Sequence, residues 1–252
     1  MATEYKKIYQ RPYAIMPVMS GYCPGCLHSL ATKIIAEAVE ELGQQENAMH
    51  VLPVGCAALG LLYWRGDMVG AAHGRAPAVA TGIKRCCPDR LVFAYQGDGD
   101  LAAIGLAEII SAANRGEKFT VIFANNSTYG MTGGQMAPTT LIGQKSTTSV
   151  YGRSVDEAGY PIKMAEIIAQ LEAPAYVARF ALNTPKGVNE ARKGIKKAFR
   201  MQLEGKGFTF IELLTNCPTN WGMSPLKSLQ YMTENTMKYF VPGVYKDVEV
   251  EA

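Results

Sequence analysis

The sequence lacks the features that define membrane, secreted and disordered proteins. No window approaches the roughly 18 apolar residues that a membrane-spanning helix needs, and the N-terminal residues MATEYKKIYQRPYAIM lack the apolar core of a signal peptide. Polar low-complexity tracts are absent, and 48% of the residues are hydrophobic, whereas disordered chains are poor in such residues. These absences predict a globular, cytoplasmic protein that does not enter a membrane.

Concentrated charge of one sign is also absent. The formal net charge is +3, and only 19% of the residues are charged. Lys and Arg are scattered except over residues 192–200, where their helical spacing is typical of a solvated helix face or of a contact with a partner. Proteins that bind nucleic acids need a dense basic surface, so nucleic acid is excluded as a partner.

Strand-like and helix-like segments alternate along the chain, without an internal repeat. The predicted strands are the apolar runs HVLPVG, LVFAYQG, FTVIFANN, AYVARFA and FTFIELL. The predicted helices are HSLATKIIAEAVEELG, APAVATGIKRCC, LAAIGLAEIISAANRG, KMAEIIAQLEA and GVNEARKGIKKAFRMQLEG. This alternation predicts an α/β protein with a doubly wound, mostly parallel sheet, in which ligands bind at the carboxyl ends of the strands. We expect one domain over residues 1–252, with a cysteine-bearing N-terminal segment (about 15–30) and a C-terminal helix and tail (about 224–252).

A glycine-rich turn follows the predicted strand LVFAYQ. Asp98 stands between Gly97 and Gly99 in GDGDLAAIG, whose spacing does not match the GxGxxG of dinucleotide-binding loops. Alone, the segment could be a plain tight turn. The pair Asn125-Asn126 ends the next predicted strand, and a carboxylate and an amide oxygen at adjacent strand ends can hold Mg²⁺ against a diphosphate. The helix that follows would offer its N-terminus to the phosphates.

The six cysteines are interpreted as buried residues or ligands, because disulfides are rare in a reducing compartment. Cys23 and Cys26 form a CPGC motif, which alone could be a redox pair or half of a zinc site. Neither a thioredoxin-like pattern nor a second CxxC accompanies it. Cys56 and Cys217 lie in predicted strand-end loops, and four thiolates that meet there suit a cubane iron–sulfur cluster, with zinc as the alternative. Two further cysteines at a helix end are interpreted as structural: Cys86 and Cys87.

A long segment rich in glycine, threonine, serine and methionine lies between residues 125 and about 160. Loops of this length in compact domains are usually functional, so the segment is a candidate lid or cofactor wrap. Within YGMTGGQ, the glycines permit close approach, and Thr132 and Gln135 offer hydrogen bonds. Tyr129, Gly130 and Thr132 are therefore expected to line the site, although loop plasticity alone would also explain this composition.

The combination of GDG with NN resembles the signature of thiamine-diphosphate enzymes. The resemblance implies that Asp98, Asn126 and the backbone carbonyl of Thr128 bind Mg²⁺. The segment HGR at residues 73–75 looks like an element that lies near the cofactor in one branch of that family, although His73 could also be a half-buried, hydrogen-bonded histidine. The residues that the resemblance places at the cofactor are His73, Gly74, Arg75, Gly97, Asp98, Gly99, Asp100, Asn126 and Thr128.

The whole chain, from SGYCPGC to NCPTNW, resembles the thiamine-diphosphate-binding beta subunit of 2-oxoacid:ferredoxin oxidoreductases. The matching segments are VGCAA, AAHGRAPAVATGIK, YQGDGDLAAIG and NNSTYGMTGGQMAPTT. The resemblance implies a 4Fe-4S cluster held by Cys23, Cys26, Cys56 and Cys217. Leu27 departs from the glycine that many relatives have at this position. The segments AAHGRAPAVATGIK and NNSTYG look most like subunits assigned to branched-chain 2-oxoacids.

This resemblance implies oxidative decarboxylation of a 2-oxoacid, with 2-oxoisovalerate as the expected substrate, to acyl-coenzyme A and CO₂, with electrons passing through the cluster to ferredoxin. The alternatives are the same reaction on 2-oxoglutarate or pyruvate, a non-redox thiamine-diphosphate carboligase or decarboxylase, and a zinc-bearing scaffold. The sequence holds one GDG and NN signature. In the family that the chain resembles, a glutamate from a pyrimidine-binding unit activates the thiamine ring. A separate pyrimidine-binding alpha subunit is therefore expected to supply this glutamate. A ferredoxin-like iron–sulfur subunit, external ferredoxin and, as an optional partner, a gamma subunit complete the expected assembly.

Overall fold

A single mixed sheet forms the centre of the protein. The computed structural model describes residues 9–250, so residues 1–8 and 251–252 of the predicted domain lie outside the described residues. The strands within this range are β1 (Ala48–Leu52), β2 (Asp67–Gly70), β3 (Leu91–Gly97), β4 (Thr120–Asn125), β5 (Tyr176–Ala181), β6 (Thr209–Leu214) and β7 (Gly243–Asp247). Their order is β2-β1-β3-β4-β6-β5-β7. Neighbouring strands are parallel, apart from the antiparallel pair of β5 and β7.

Helices connect these strands. They are α1 (His28–Glu41), α2 (Ala76–Cys86), α3 (Leu106–Asn114), α4 (Val155–Ala158), α5 (Met164–Ala169), α6 (Pro185–Leu203), α7 (Pro218–Trp221), α8 (Pro225–Tyr231) and α9 (Met237–Tyr239). A 3₁₀ turn spans Cys56–Leu62, and π-helical turns span Gly99–Ile104 and Met232–Thr236. No helix in the described part of the chain is long and apolar enough to cross a membrane.

The helices cover both faces of the sheet. On β3, Leu91, Phe93 and Tyr95 pack in the layer that holds α1 and α6, whereas Val92 and Ala94 pack in the layer with α2, α3 and α5. Successive side chains of a strand point to opposite faces, which explains why this continuous apolar run is buried on both sides. The predicted α/β fold with a doubly wound, mostly parallel sheet is confirmed.

The strand order places the ends of three strands beside a crevice. From β1 the chain moves outward to β2 and then returns to place β3 on the other side of β1. Loops diverge at such a switch point and leave room for a ligand at the carboxyl ends of the strands. The loops that follow β1, β3 and β4 carry Cys56, Asp98 and Asn126.

Two elements differ from the sequence prediction. The predicted helix LAAIGLAEIISAANRG is divided into the π-helical turn Gly99–Ile104 and α3, and the Gly105 N–H donates to the Asp100 carbonyl, five residues back, at 2.9 Å. The predicted C-terminal helix and tail contain strand β7, and Phe240 is fully buried. A short edge strand such as GVYKD has too weak a pattern to be recognised from its sequence.

Four basic residues in the 192–200 run of α6 are paired within the molecule. Their partners lie on α1 and in the C-terminal residues, so the basic run joins these elements to α6. The pairs are Arg192–Glu37, Lys196–Glu41, Lys197–Asp247 and Arg200–Glu249.

Candidate functional site

An open cleft lies at the carboxyl ends of β1, β3 and β4. Most residues predicted for the site line it: His73, Gly97, Asp98, Gly99, Asp100, Asn126, Thr128, Tyr129, Gly130, Thr132 and Cys56. Met131, within the predicted segment YGMTGGQ, also lines it, and four lining residues were not named from the sequence: His28, Val54, Gly55 and Ala57. The remaining predicted residues lie outside this lining: Gly74, Arg75, Cys23, Cys26 and Cys217.

Asp98 is buried in the loop that follows β3. Its Oδ1 accepts a hydrogen bond from the Gly99 N–H at 3.0 Å, and its Oδ2 accepts from the Thr128 N–H at 3.2 Å and the Thr139 hydroxyl at 2.7 Å. Burial raises the pKa of Asp98 to about 6, and these hydrogen bonds oppose the rise. A cation beside the carboxylate would favour its charged form.

The loop after β4 places Asn126 beside Asp98. The Thr128 N–H lies 3.2 Å from both Asp98 Oδ2 and Asn126 Oδ1, so these two oxygens are neighbours. Trp221 Nε1 donates to the Asn126 carbonyl at 3.1 Å and fixes the backbone there. Carboxylate, amide and carbonyl oxygens are the hard ligands that Mg²⁺ prefers. The structure therefore brings together the Asp98 and Asn126 side-chain oxygens, two of the three predicted metal ligands, and oxygens of these types fit this ion.

Asp100 makes a different set of contacts. Its Oδ1 accepts hydrogen bonds from His73 Nδ1 at 2.6 Å and from the Gly74 N–H at 2.9 Å. The same oxygen accepts from the Val54 N–H at 3.2 Å, and Oδ2 accepts from Gln96 Nε2 at 2.6 Å. Because Val54 follows β1 and His73 follows β2, Asp100 joins the loops of three strands and shapes the cleft.

The HGR segment packs against the start of α3. A Cβ on Gly74 would lie 2.6 Å from the Gly105 nitrogen, and a Cβ on Gly105 would lie 2.4 Å from the Gly74 carbonyl oxygen. Glycine is therefore required at both positions for this backbone contact. Arg75 pairs with Glu108 on α3, and the structure does not bring its side chain into the cleft.

The segment at residues 129–135 covers the cleft. The Tyr129 ring lies over Gly99, since a Cβ there would come within 2.1 Å of Tyr129 Cε1. The Thr132 hydroxyl donates to Gln135 Oε1 at 2.7 Å, so these two side chains bond to each other.

Further along, the buried guanidinium of Arg153 donates to backbone carbonyls on both sides of its turn and holds this long loop in place. Those acceptors are Ala137, Pro138, Thr140, Ala158, Gly159 and Tyr160.

Four thiols approach one another at the side of the cleft. Cys23 and Cys26 precede α1, Cys56 begins the 3₁₀ turn, and Cys217 precedes α7. A Cβ on Gly130 would lie 3.3 Å from Cys56 Sγ and 3.6 Å from Cys217 Sγ. Burial, together with the smaller effect of the neighbouring thiols of this group, raises the pKa of Cys26 to about 12 and that of Cys56 to about 11. Such thiols need a cation to become thiolates, which is what a metal centre provides.

Asn216 joins two of the cysteine-bearing loops. Its Nδ2 donates to the Gly25 carbonyl at 3.1 Å, and its Oδ1 accepts from the Leu27 N–H at 3.1 Å. The Cys26 thiol donates to the Asn216 carbonyl at 3.8 Å. Asn216 is fully buried. Its position next to Cys217 was the only sequence signal for this role.

Comparisons with known proteins agree with this geometry. Residues 54–213 match the family described as thiamine pyrophosphate enzyme, C-terminal TPP binding domain. The ketoisovalerate oxidoreductase subunit VorA of Methanothermobacter thermautotrophicus is 46% identical over 97% of this chain and 51% of its own length. The 2-oxoglutarate synthase subunit KorB of Methanocaldococcus jannaschii is 39% identical over 86% of this chain and 78% of its own length. The chain belongs to this family of thiamine-pyrophosphate-binding oxidoreductase subunits.

The similarity extends to a solved structure of low sequence identity. The 2-oxoglutarate:ferredoxin oxidoreductase from Magnetococcus marinus, with 2-oxoglutarate, coenzyme A and succinyl-CoA bound, is 22% identical. It superposes with a TM-score of 0.78 over 98% of this chain and 88% of that chain, which shows a shared fold. The chain spans about half the length of the VorA relatives that it matches.

The cysteines of this thiamine-pyrophosphate-binding subunit form two groups. The group of four at the cleft supplies soft thiolate ligands, which fit an iron–sulfur cluster. Within residues 9–250, no three Asp, Glu, His or Cys side chains are placed to hold a single metal ion. Cys86 and Cys87 are exposed at the end of α2, contrary to their interpretation as structural residues.

His28 is the main residue of the cleft lining that the sequence patterns missed. Its Nδ1 lies 2.6 Å from the Tyr95 hydroxyl, and burial lowers the pKa of the imidazole to about 4. His28 is therefore neutral near pH 7 and presents an uncharged polar wall beside Cys56 and Asp98. Its place two residues after Cys26 gave no indication of this contact.

Proposed function

We propose that the chain is the cofactor-holding subunit of a 2-oxoacid:ferredoxin oxidoreductase, which converts a 2-oxoacid and coenzyme A to acyl-coenzyme A and CO₂. One observation carries this proposal. Asp98, Asn126 and Cys56 line the same cleft, and a Cβ on Gly130 would lie within 3.6 Å of the sulfurs of both Cys56 and Cys217. A metal–diphosphate site and an electron-accepting centre are needed together by this reaction, whereas a non-redox decarboxylase needs only the first.

The chain's residues have separate roles in this proposal. Asp98, Asn126 and the Thr128 carbonyl hold Mg²⁺ against the diphosphate, and the Thr139 hydroxyl orients the Asp98 carboxylate. Thiamine diphosphate supplies the carbanion chemistry when it is bound. Gly99 leaves room for the Tyr129 ring, and Gly130 leaves room for the thiols of Cys56 and Cys217.

The four thiols provide the path for electrons. Cys23, Cys26, Cys56 and Cys217 would hold a 4Fe-4S cluster, which supplies one-electron transfer. Cys56 belongs both to the cleft lining and to this group. A cluster held by these four thiols would therefore lie at the wall of the cleft.

The substrate and the partners follow from the relatives. Identity to the ketoisovalerate subunit is 46%, compared with 39% to the 2-oxoglutarate subunit, which supports 2-oxoisovalerate. The relatives are named as subunits, so we propose that a pyrimidine-binding alpha subunit, a ferredoxin-like iron–sulfur subunit and, in some assemblies, a gamma subunit join this chain. Coenzyme A is the proposed acyl acceptor, because the Magnetococcus marinus structure holds coenzyme A and succinyl-CoA, and external ferredoxin is the proposed electron acceptor.

An anaerobic assay of the assembled enzyme tests this function. Purified enzyme would receive coenzyme A, ferredoxin and one of three substrates: 2-oxoisovalerate, 2-oxoglutarate or pyruvate. We expect ferredoxin reduction to be fastest with 2-oxoisovalerate, and bound iron to be present in this subunit. CO₂ release without electron transfer, in a protein free of iron, would show a non-redox decarboxylase instead. A higher rate on 2-oxoglutarate would overturn only the substrate assignment.

A further inference from the structure

The turn between the proposed metal ligands contains a strained residue. Ser127 has φ = 59°, and it is the only non-glycine residue with positive φ within residues 9–250. Residues with a Cβ adopt this region at a cost of about 1–3 kcal/mol, so the surrounding structure must hold them there. Because Ser127 lies between Asn126 and Thr128, its conformation determines how the two flanking oxygens are directed.

Asn125 is the residue that supports this conformation. Its Oδ1 accepts a hydrogen bond from the Ser127 N–H at 3.3 Å, which closes an Asx turn. Its backbone carbonyl accepts from the Thr215 N–H at 2.9 Å, so the end of β4 is fixed. The Asn125 side chain is fully buried. Its amide must point in one direction only, since a flipped amide would place N–H₂ against the Ser127 N–H.

A buried ion pair sets the direction of that amide. Glu212 Oε1 accepts from Asn125 Nδ2 at 2.8 Å, and Glu212 Oε2 lies 2.9 Å from the guanidinium of Arg179. Both charged side chains are fully buried. The guanidinium is held in turn by Glu166 on α5 and by the Tyr245 hydroxyl on β7. Since the carboxylate can only accept hydrogen bonds, it selects the Asn125 orientation that presents Oδ1 to Ser127.

We propose that Asn125, Glu212 and Arg179 are positioning residues that hold the 126–128 turn in its metal-binding conformation. The inference rests on the proposed Mg²⁺–diphosphate site and assigns a role to residues that do not line the cleft. A buried ion pair alone is weak evidence for stability, because apolar residues can replace such pairs. Here the Glu212–Arg179 pair is connected through the Asn125 amide to Ser127, the strained residue. The specific role of the pair is therefore to orient that amide.

A rescue experiment tests the role of Asn125. In the full chain with saturating thiamine diphosphate, Asn125→Ala should raise the Mg²⁺ concentration for half-saturation about tenfold, as expected for the loss of about one hydrogen bond. Adding Ser127→Gly should restore half-saturation to within about threefold of wild type, because glycine adopts positive φ without support. A purely structural role of Asn125 predicts no rescue, and that result would overturn the proposal.

A second comparison tests the role of Glu212. Glu212→Met should raise the half-saturating Mg²⁺ concentration in the wild-type background and should have no further effect in the Asn125→Ala background, because it acts through that amide. Additive effects would contradict the proposal. The matched control is Gln202→Leu, which removes a buried hydrogen-bond network at the opposite ends of β3 and β4 and should lower only the unfolding temperature.

The two proposals can fail separately. If the wild-type chain binds thiamine diphosphate without any dependence on Mg²⁺ or Mn²⁺, the proposed metal site is wrong. If wild type shows the dependence and Asn125→Ala retains the same half-saturation, only the positioning role is wrong.

Discussion

Asp98 and Asp100 are neighbouring buried carboxylates with different partners. Asp98 has Gly99, Thr128 and Thr139 as donors, and Asn126 lies beside it. Asp100 bonds to donors from the loops of three strands. The sequence motif GDGD shows two similar acids, and only the contacts separate a candidate metal ligand from a residue that holds the loops together.

This difference predicts the effect of Asp100→Asn. An amide retains one oxygen, so it cannot accept all of the hydrogen bonds from His73, Gly74, Val54 and Gln96. We expect the free energy of unfolding to fall by about 1–3 kcal/mol and thiamine-diphosphate affinity to fall with it. Denaturant unfolding and cofactor titration measure the two effects. Asp156→Asn on the exposed surface is the control, and equal stability of the two variants would contradict the prediction.

His50 gives a prediction for pH. Burial lowers the pKa of its imidazole to about 3, and neither ring nitrogen has a hydrogen-bond partner. The unfolded state takes up a proton below pH about 6.5, while the native state does not, so stability is lost as the pH falls from about 6.5 toward 3.

The variant His50→Leu isolates this effect. It removes the titrating group and keeps an apolar side chain against Phe93 and Trp64. We expect its unfolding free energy to decline less than that of wild type over this pH range, by a few kcal/mol. Parallel curves from chemical denaturation at each pH would refute the assignment.

At the scale of elements, the junction between the HGR loop and α3 depends on two glycines. Gly105→Ala would place a Cβ 2.4 Å from the Gly74 carbonyl oxygen, and therefore α3 would have to move. We expect a loss of roughly 1–3 kcal/mol in unfolding free energy and weaker cofactor binding, since overpacking destabilises by this order.

The control for this junction is Gly82→Ala on α2. A Cβ at Gly82 meets nothing within 4 Å, so alanine should raise stability by up to about 1 kcal/mol through its helix propensity. Thermal unfolding of the two variants should therefore shift in opposite directions. A shift in the same direction would show that backbone contact does not limit Gly105.

At the scale of the whole molecule, the sheet and its flanking loops bring together thiols that are far apart in sequence. Cys217→Ser should lower the bound iron of anaerobically purified protein to less than half of the wild-type value, because serine is a poor replacement for a soft thiolate ligand. Cys87→Ser, at the exposed end of α2, should retain all of its iron. Iron analysis measures both, and unchanged iron in Cys217→Ser would place the fourth ligand elsewhere.

Residue roles that depend on local sequence patterns could be predicted, whereas roles that depend on contacts between distant residues could not. Asp98 and Asn126 were predicted because each stands at the end of a strongly apolar strand, and parallel strands place such ends at one edge. The roles of His28, Asn216 and Glu212 were not predicted, because each depends on a contact with a residue more than 60 positions away. Arg75 was predicted to lie at the site because it belongs to the HGR segment with His73. In the structure its side chain contacts α3 instead.

The sequence by itself determined the alternation of strands and helices and the doubly wound fold, and it predicted the pair of oxygen ligands and the group of four cysteines. These features rest on local periodicity and on residue types that have few other uses. The tertiary structure alone decided that Asp100 holds the loops after β1 and β2, how Asn125 is oriented, and that four basic residues of α6 are paired internally. The physical reason is that a hydrogen bond or ion pair has a direction and a partner, and neither can be read from the spacing of residues along the chain.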